Sequence, residues 1–270
     1  MPVTEQKWAW NGVEKEIQIG MHETQNERFR SRMEDRSVVS LTDRELLCGV
    51  FDGHNGDVVA SWCRDVFHEY LSVELEKRQP LVETLHSLFL SVDRSVCSAE
   101  MPGGSAVGIL YMDGEMGDSS LCLYSANVGD VEAFLFDSSG VRSLTSPHLG
   151  SSPDEGHRVR RAGGAVVCGR VYGVINITRS IGDSWMKECI IAEPHVSRTE
   201  LSAEEQFVVL ASDGLWGSCS VDKVGEIVQA AGDVQSAAER LVGYALEHGS
   251  TDNTTAIVVR IAPWENIQAV

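Results

Sequence analysis

An α+β fold, with helices laid over antiparallel strands, is predicted for this 270-residue chain by three observations. Continuous apolar runs of strand length end abruptly at Asp-Gly, as at Val50-Phe51-Asp52-Gly53 and Leu210-Ala211-Ser212-Asp213-Gly214. Between residues 105 and 144, short strand-like runs are separated by turn-forming residues. Pairs of amphipathic helical segments flank these strand blocks, which argues for layers in which helices cover sheets.

The elements follow in order. Residues 15–24 and 36–41 are predicted strands on either side of the basic segment Arg28 to Arg32. Leu46 to Phe51 is an uninterrupted apolar strand ending at Asp52. Beyond it Val58, Val59, Trp62, Cys63, Val66, Phe67, Tyr70 and Leu71 recur at helical spacing, and Pro80 is expected to end that helix. Leu81, Leu85, Leu88, Phe89, Val92 and Val96 make one apolar face of a second helix. Runs at 105–112, 121–126, 131–136 and 141–144 are divided by Asp113-Gly114, Gly129-Asp130 and Ser138-Ser139-Gly140, which predicts an antiparallel meander. Residues 145–173 are polar and glycine-rich with a short helix at 154–162; so long an irregular excursion is expected to be a functional flap. Strands are predicted at 174–178, 207–211 and 254–261, and helices at 221–231 and 234–248.

Forty acidic residues against 22 Lys plus Arg give a formal net charge of -18, so nucleic acid and an anionic membrane are not expected as partners. No apolar stretch is long enough to span a bilayer, and the first residues lack an apolar signal core. Seven cysteines without a C-x-x-C pair suggest reduced thiols in a reducing compartment. A cytoplasmic location is expected, with the nucleus left open. No linker-like tract divides the chain, which favours one compact domain.

Six aspartate-centred motifs carry the chemistry: Met33-Glu34-Asp35, Phe51-Asp52-Gly53-His54, Asn127-Val128-Gly129-Asp130, Ile181-Gly182-Asp183, Ser212-Asp213-Gly214 and Asp252-Asn253. Carboxylates gathered into one cleft repel unless a hard cation neutralises them, so the pattern implies a Mg²⁺ or Mn²⁺ site and metal-assisted chemistry on phosphate. Each motif also has a plainer reading. Asp52 and Asp213 could cap helices. Asp130, Asp183 and Asp252 could be turn residues. Glu34 and Asp35, adjacent on a strand, would face opposite sides and serve one site only through waters or a local irregularity. His54 could be a core or surface residue, or a proton donor beside a metal site.

Taken together the motifs resemble the metal-dependent protein serine/threonine phosphatases of type 2C, over residues 17 to 262. The resemblance rests on Arg30-x-x-x-Glu34-Asp35-Arg36, Phe51-Asp52-Gly53-His54, Gly104-Ser105-Ala106-Val107-Gly108, Ala126-Asn127-Val128-Gly129-Asp130, Ala162-Gly163-Gly164, Thr178-Arg179-Ser180-Ile181-Gly182-Asp183, Ser212-Asp213-Gly214-Leu215-Trp216 and Gly249-Ser250-x-Asp252-Asn253, in that order. It implies a four-layer αββα sandwich, two packed antiparallel sheets flanked by helices. It implies an N-terminal extension at 1–16, a catalytic domain at 17–262 and a tail at 263–270.

For the site, the resemblance implies that Asp52 bridges two Mg²⁺ or Mn²⁺ ions, that the Gly53 carbonyl binds one, and that Asp213 and Asp252 complete the other. Glu34 and Asp35 would act through waters, Arg30 would hold the substrate phosphate, and His54 would be the general acid. Asp130 falls on a position that helps bind a weaker third metal, while Asp183 matches a family position without an assigned direct role. Three segments depart from the family pattern. Gly217 replaces an acid that supports the third metal; Val131-Glu132 and the run Thr145 to Gly150 also differ. The implied partners are phosphoproteins, and the chain is expected to act as a monomer. The alternatives are a catalytically silent relative, a hydrolase using Asp52 as nucleophile, and a non-catalytic Ca²⁺ binder. Intact acids, His54 in place of a second acid, and the lack of EF-hand spacing weigh against them respectively.

Overall fold

The computed structural model describes residues 4–10, 13–43, 45–113, 121–201 and 205–261. The turn expected at Gly114 and the tail expected at 263–270 lie outside the described residues. In chain order the elements are β1 (Thr4–Trp10), β2 (Val13–Thr24), β3 (Asp35–Leu41), β4 (Glu45–His54), α1 (Val58–Leu75), α2 (Leu81–Ser98), β5 (Gly104–Asp113), β6 (Cys122–Val128), β7 (Glu132–Asp137) and β8 (Gly140–Ser143). There follow α3 (Pro153–Arg161), β9 (Val166–Val167), β10 (Arg170–Val171), β11 (Ile181–Gly182), β12 (His195–Glu200), β13 (Glu205–Ala211), α4 (Asp213–Trp216), α5 (Val221–Gln229), α6 (Val234–Glu247) and β14 (Thr254–Arg260).

Two antiparallel sheets carry the fold, one in the order β1-β2-β14-β13-β7-β8, the other β12-β6-β5-β4-β3 with β11 beside β5. Alternation along the strands shows why the apolar runs are continuous. In β4, Leu46, Cys48 and Val50 enter the core between the sheets, while Leu47 and Phe51 pack under α1 and α2. In β13, Val208 and Leu210 face the other sheet, while Phe207, Val209 and Ala211 pack under α5 and α6. Strands buried on both faces lose the apolar–polar alternation of a half-exposed strand. The chain is thus a four-layer sandwich with three apolar layers between its tiers, as expected from the motifs.

Several local expectations are corrected. The predicted meander is split: β5 pairs with β6 and β7 with β8, but β6 and β7 belong to different sheets, so the turn at Gly129-Asp130 crosses between layers. α1 stops at Leu75, and Pro80 sits at the start of α2 instead, where its fixed φ suits a helix entrance. No strand forms at 174–178; isolated bridges Val171–Ile175 and Leu149–Ile177 lock that segment crosswise. Residues 4–10 and 13–16 pair within the first sheet as β1 and the start of β2. All seven cysteines are free, and among the described residues no helix is long and apolar enough to cross a membrane.

One close approach fixes how α6 meets its sheet. A Cβ on Gly20 of β2 would collide with the carbonyl of Val234 and lie 2.5 Å from the Gln235 nitrogen. The Gln235 side chain meanwhile brackets the Met21 backbone with bonds of 3.2 and 3.1 Å. Gly20→Ala is expected to destabilise the fold by about 1–3 kcal/mol, the usual cost of overpacking. A lowered urea midpoint with an unchanged slope is the measurement.

Candidate active site

The acidic residues meet where the two sheets part at one end of the central core. Asp52 shares the parity of Leu46, Cys48 and Val50, so β4 carries it on the face turned to the other sheet. Register places Asp35 of β3 directly opposite Asp52. From the facing sheet, β13 runs through Ala211 into Ser212 and Asp213, and the adjacent β14 begins just after Asp252. The plainer reading of Asp52 as a helix cap is excluded, since β4 continues to His54 and α1 begins at Val58 behind Asp57. Asp213 does open the one-turn α4, but Ser212 holds the cap position.

A cleft of about 510 Å³ is lined by Arg30, Glu34, Asp52, Gly53, His54, Asp130, Asp213 and Asp252. Arg170, Asn55 and Asn176 complete its polar wall. Sequence-predicted residues from five separate stretches are therefore brought together. Asp35 lies beneath the cleft: its Oδ2 accepts hydrogen bonds from Ser212 Oγ at 2.9 Å and Thr255 Oγ1 at 2.8 Å. Those hydroxyls belong to the facing sheet, so Asp35 ties the two sheets together under the site. Asn253 performs a related task. Its Oδ1 accepts the Glu34 N–H at 2.7 Å, and its Nδ2 donates to the carbonyls of Gln25 and Arg32. The loop carrying Arg30 and Glu34 is thereby stapled to the start of β14. Glu34 in turn accepts the Gly56 N–H at 2.6 Å.

Gly53 is needed where it stands. A Cβ there would lie 2.6 Å from the Glu34 carbonyl oxygen and 3.1 Å from Ala60 Cβ. The missing side chain therefore lets the Glu34 backbone pass close by.

Electrostatics identify what the cleft is suited to hold. Five carboxylates line it against two guanidiniums, Arg30 and Arg170. Burial, then the charge of Asp35, Asp213 and other neighbours, drives the Asp52 carboxyl well above its ordinary range. Burial raises Asp35 to about 7 despite its two hydroxyl partners. Burial and the charge of Asp213 raise Asp130 to about 7. Burial and Asp252 raise Asp213 to about 6. Groups desolvated and crowded in this way are destabilised as anions unless a cation joins them. Arg30 gives partial relief by an ion pair to Asp252 and a bond to the Thr251 carbonyl. Among the described residues, no three His, Cys, Asp or Glu side chains are already drawn in to chelate an ion. The donor set is all oxygen and strongly anionic, which fits hard divalent cations.

His54 is held by a residue to which the sequence assigned no role. Its Nε2 lies 2.7 Å from Asp183 Oδ2, which also accepts the Ser180 hydroxyl at 2.6 Å. Burial pushes the Asp183 carboxyl up, but these bonds outweigh it and hold the group below its usual range. The contact was not readable beforehand, because positions 54 and 183 lie 129 residues apart. Arg170 and Asn176 were missed as well. Arg170 lies in the irregular excursion and Asn176 in the segment predicted as a strand just after it, with Asn176 Nδ2 donating to Asp130 Oδ2 at 3.1 Å. That excursion is anchored by buried Glu155, which accepts bonds from Arg158, Arg179 and Thr178. These bonds outweigh burial and hold its carboxyl at about 2.

Comparison with known proteins agrees with this geometry. The sequence model of the protein phosphatase 2C family matches residues 12–254. Protein phosphatase 2C homolog 1 of Saccharomyces cerevisiae is 31% identical over 261 residues, covering 89% of this chain and 92% of the yeast protein. Among solved structures, a phosphatase from Toxoplasma gondii superposes with a TM-score of 0.81 at 21% identity, over 99% of this chain and 96% of that one. A Caenorhabditis elegans sex-determining protein gives 0.84 at 23% identity, over 92% of this chain and 66% of that one. These two share the fold. The family match over nearly the whole length, with a yeast relative of comparable extent, settles membership: the chain belongs to the protein phosphatase 2C family and is a protein phosphatase.

Proposed function

We propose that the chain hydrolyses phosphoserine and phosphothreonine on proteins, as a monomer, with two divalent cations, Mg²⁺ or Mn²⁺, in its acidic cleft. The observation that carries this reading is the convergence of five carboxylates on one cleft with too few positive groups to neutralise them. Asp52, the Gly53 carbonyl, Asp213 and Asp252 would hold the two ions, Glu34 and Asp35 would act around them, and Asp130 would serve a weaker third. When bound, the cations supply an acidified water and neutralise phosphoryl oxygens.

The chain's own groups do the rest. Arg30 reaches the cleft from the loop before β3 and offers a planar fork of donors to the phosphoryl oxygens. Serine and threonine alkoxides leave poorly, so a proton must reach the ester oxygen as its bond to phosphorus breaks. His54, at the end of β4 and lining the cleft, is the donor in this reading. No cysteine lines the cleft among the described residues, so no cysteinyl phosphate is part of the scheme. Seven free cysteines fit action in a reducing compartment, the cytoplasm or nucleus.

Removal of divalent metal tests the proposal. Turnover of a phosphoserine peptide should vanish in EDTA and return with excess Mn²⁺ or Mg²⁺. The same ions at about a hundred times their dissociation constant should stabilise the fold by about 2.7 kcal/mol. Unchanged turnover in EDTA would rule the reading out.

A further inference from the structure

The contact between His54 and Asp183 is built from several sides. The Asp183 side chain is completely buried, while that of His54 is 22% exposed toward the cleft. Asp183 adopts a left-handed backbone conformation, φ 51°, which costs a non-glycine residue energy and persists only where its surroundings impose it. Here they do. The Asp183 N–H donates to the Gly103 carbonyl at 2.9 Å, and its own carbonyl accepts the Met186 N–H at 2.8 Å. Just before it, the Gly182 N–H donates to Asp93 Oδ1 on α2. Lys187 then bridges Asp93 and the carbonyls of Ser180 and Gly182.

Gly104 completes the enclosure. A Cβ at that position would strike Asp183 Oδ2 and lie 2.6 Å from His54 Nε2. The start of β5 is therefore bare where the pair crosses it. One further atom is unusual. Among the described residues Asp183 Oδ1 is buried without a hydrogen-bond partner, an expensive arrangement for a carboxylate whose only task is to join two loops.

We propose that Asp183 is a positioning residue for the reaction: its buried carboxylate accepts the Nε2 proton of His54 and fixes the ring so that Nδ1 is the nitrogen offered to the leaving group. The inference rests on the reading of His54 as the proton donor. In the step, a water oxygen bonds to phosphorus as the bond between phosphorus and the ester oxygen breaks with its electron pair on that ester oxygen. The ester oxygen takes the proton from Nδ1. The Nε2 proton stays on the ring, bonded to Asp183, and His54 ends as neutral imidazole. Without the carboxylate the ring could turn or carry its proton on the wrong nitrogen. A carboxylate that sets tautomer and orientation in this way is a familiar device beside catalytic histidines.

Leaving-group dependence separates positioning from simple scaffolding. Asp183→Asn, Ser180→Ala, His54→Ala and the Asp183→Asn/His54→Ala double variant would be assayed with Mn²⁺ on a phosphoserine peptide and on p-nitrophenyl phosphate. The nitrophenolate leaves without help, so loss of a proton donor affects it least. His54→Ala should lose far more on the peptide than on the aryl ester. Asp183→Asn should lower kcat on the peptide about ten- to a hundredfold, the range for an outer partner of a site residue, with a loss on the aryl ester at least tenfold smaller. The double variant should be no slower on the peptide than His54→Ala alone. Ser180→Ala removes a second bond to the same oxygen with little risk to folding, and should show the same selectivity at about threefold.

If His54→Ala is selective but Asp183→Asn and Ser180→Ala slow both substrates equally, Asp183 is only structural and the inference is overturned. If the losses at 54 and 183 multiply in the double variant, it is overturned too. If His54→Ala is itself unselective, the donor role falls and the inference with it.

Discussion

Asp213→Asn lowers turnover of a phosphoserine peptide on the order of a thousandfold or more, beyond the ten- to hundredfold cost of altering an outer partner of a metal ligand, and the chain stays folded. Both halves of that result follow from the geometry. Asp213 lines the cleft and is raised to about 6 by burial and by Asp252, so its charge is poorly solvated and lies open to a cation. Among the described residues its carboxylate makes no hydrogen bond or ion pair. The neighbouring backbone holds the local fold instead: the Gly217 N–H donates to the Asp213 carbonyl at 2.7 Å, and Leu215 N–H to Ser212. Gly214 fits only because it lacks a Cβ, which would strike the Asn253 carbonyl. None of these contacts needs the Asp213 charge. An amide keeps the shape, removes one repulsive anion, and should leave the metal-free protein at least as stable as before. Peptide kinetics with saturating Mn²⁺, beside thermal unfolding of the metal-free variant, make the measurement. A variant retaining activity within tenfold of the parent would remove Asp213 from the centre.

Stability of the metal-free protein should fall as pH rises from about 4 to about 7, opposite to the behaviour of a salt-bridged carboxylate. Asp35 and Asp130 are raised to about 7, Asp213 to about 6 and Asp52 well above its ordinary value of 3.8. Within that window the folded chain holds protons that the unfolded chain has released. The stabilisation is complete below the unfolded pKa and is lost as pH passes the folded one, at about 1.4 kcal/mol per pH unit for each proton involved. Glu155 and Asp183, whose carboxyls are lowered, act in the other direction and only at lower pH. Saturating Mg²⁺ should flatten the slope, because the ion competes for the same oxygens as the protons. Urea midpoints at pH 5.5 and 7.5, with and without Mg²⁺, decide the matter. A metal-free midpoint that is flat or rising across the window would contradict the placement of these carboxylates.

The layered architecture was legible because each interior strand is apolar on both faces and each helix on one. Leu46 to Phe51 and Phe207 to Ala211 are recognisable wherever they pack. The strand at His195–Glu200 was not, since it is a sheet edge beside β6 and carries His, Ser, Arg, Thr and Glu with no apolar alternation. Likewise the change of sheet between β6 and β7 leaves no mark in composition, because either pairing uses the same turn residues. In the site, aspartates that end apolar strands announced themselves, while groups acting through distant partners did not. Asp35 reads as one of an acidic pair, yet the hydroxyls that hold it come from Ser212 and Thr255, far along the chain. Arg30, expected to hold the substrate phosphate, is paired with Asp252. Which partner it takes depends on charge balance in the cleft, a property of the assembled fold.

The position of β14 between β2 and β13 bears on how the phosphatase is made. A ribosome that has delivered residues only to 250 has produced two strand edges with no common neighbour and a cleft lacking the acid at 252. Pairing of residues 254–260 with both edges joins the sheet and sets Asp252 at the acidic mouth. The cleft's set of acids is thus complete only once β14 lies between β2 and β13, which ties assembly of the site to assembly of the sheet.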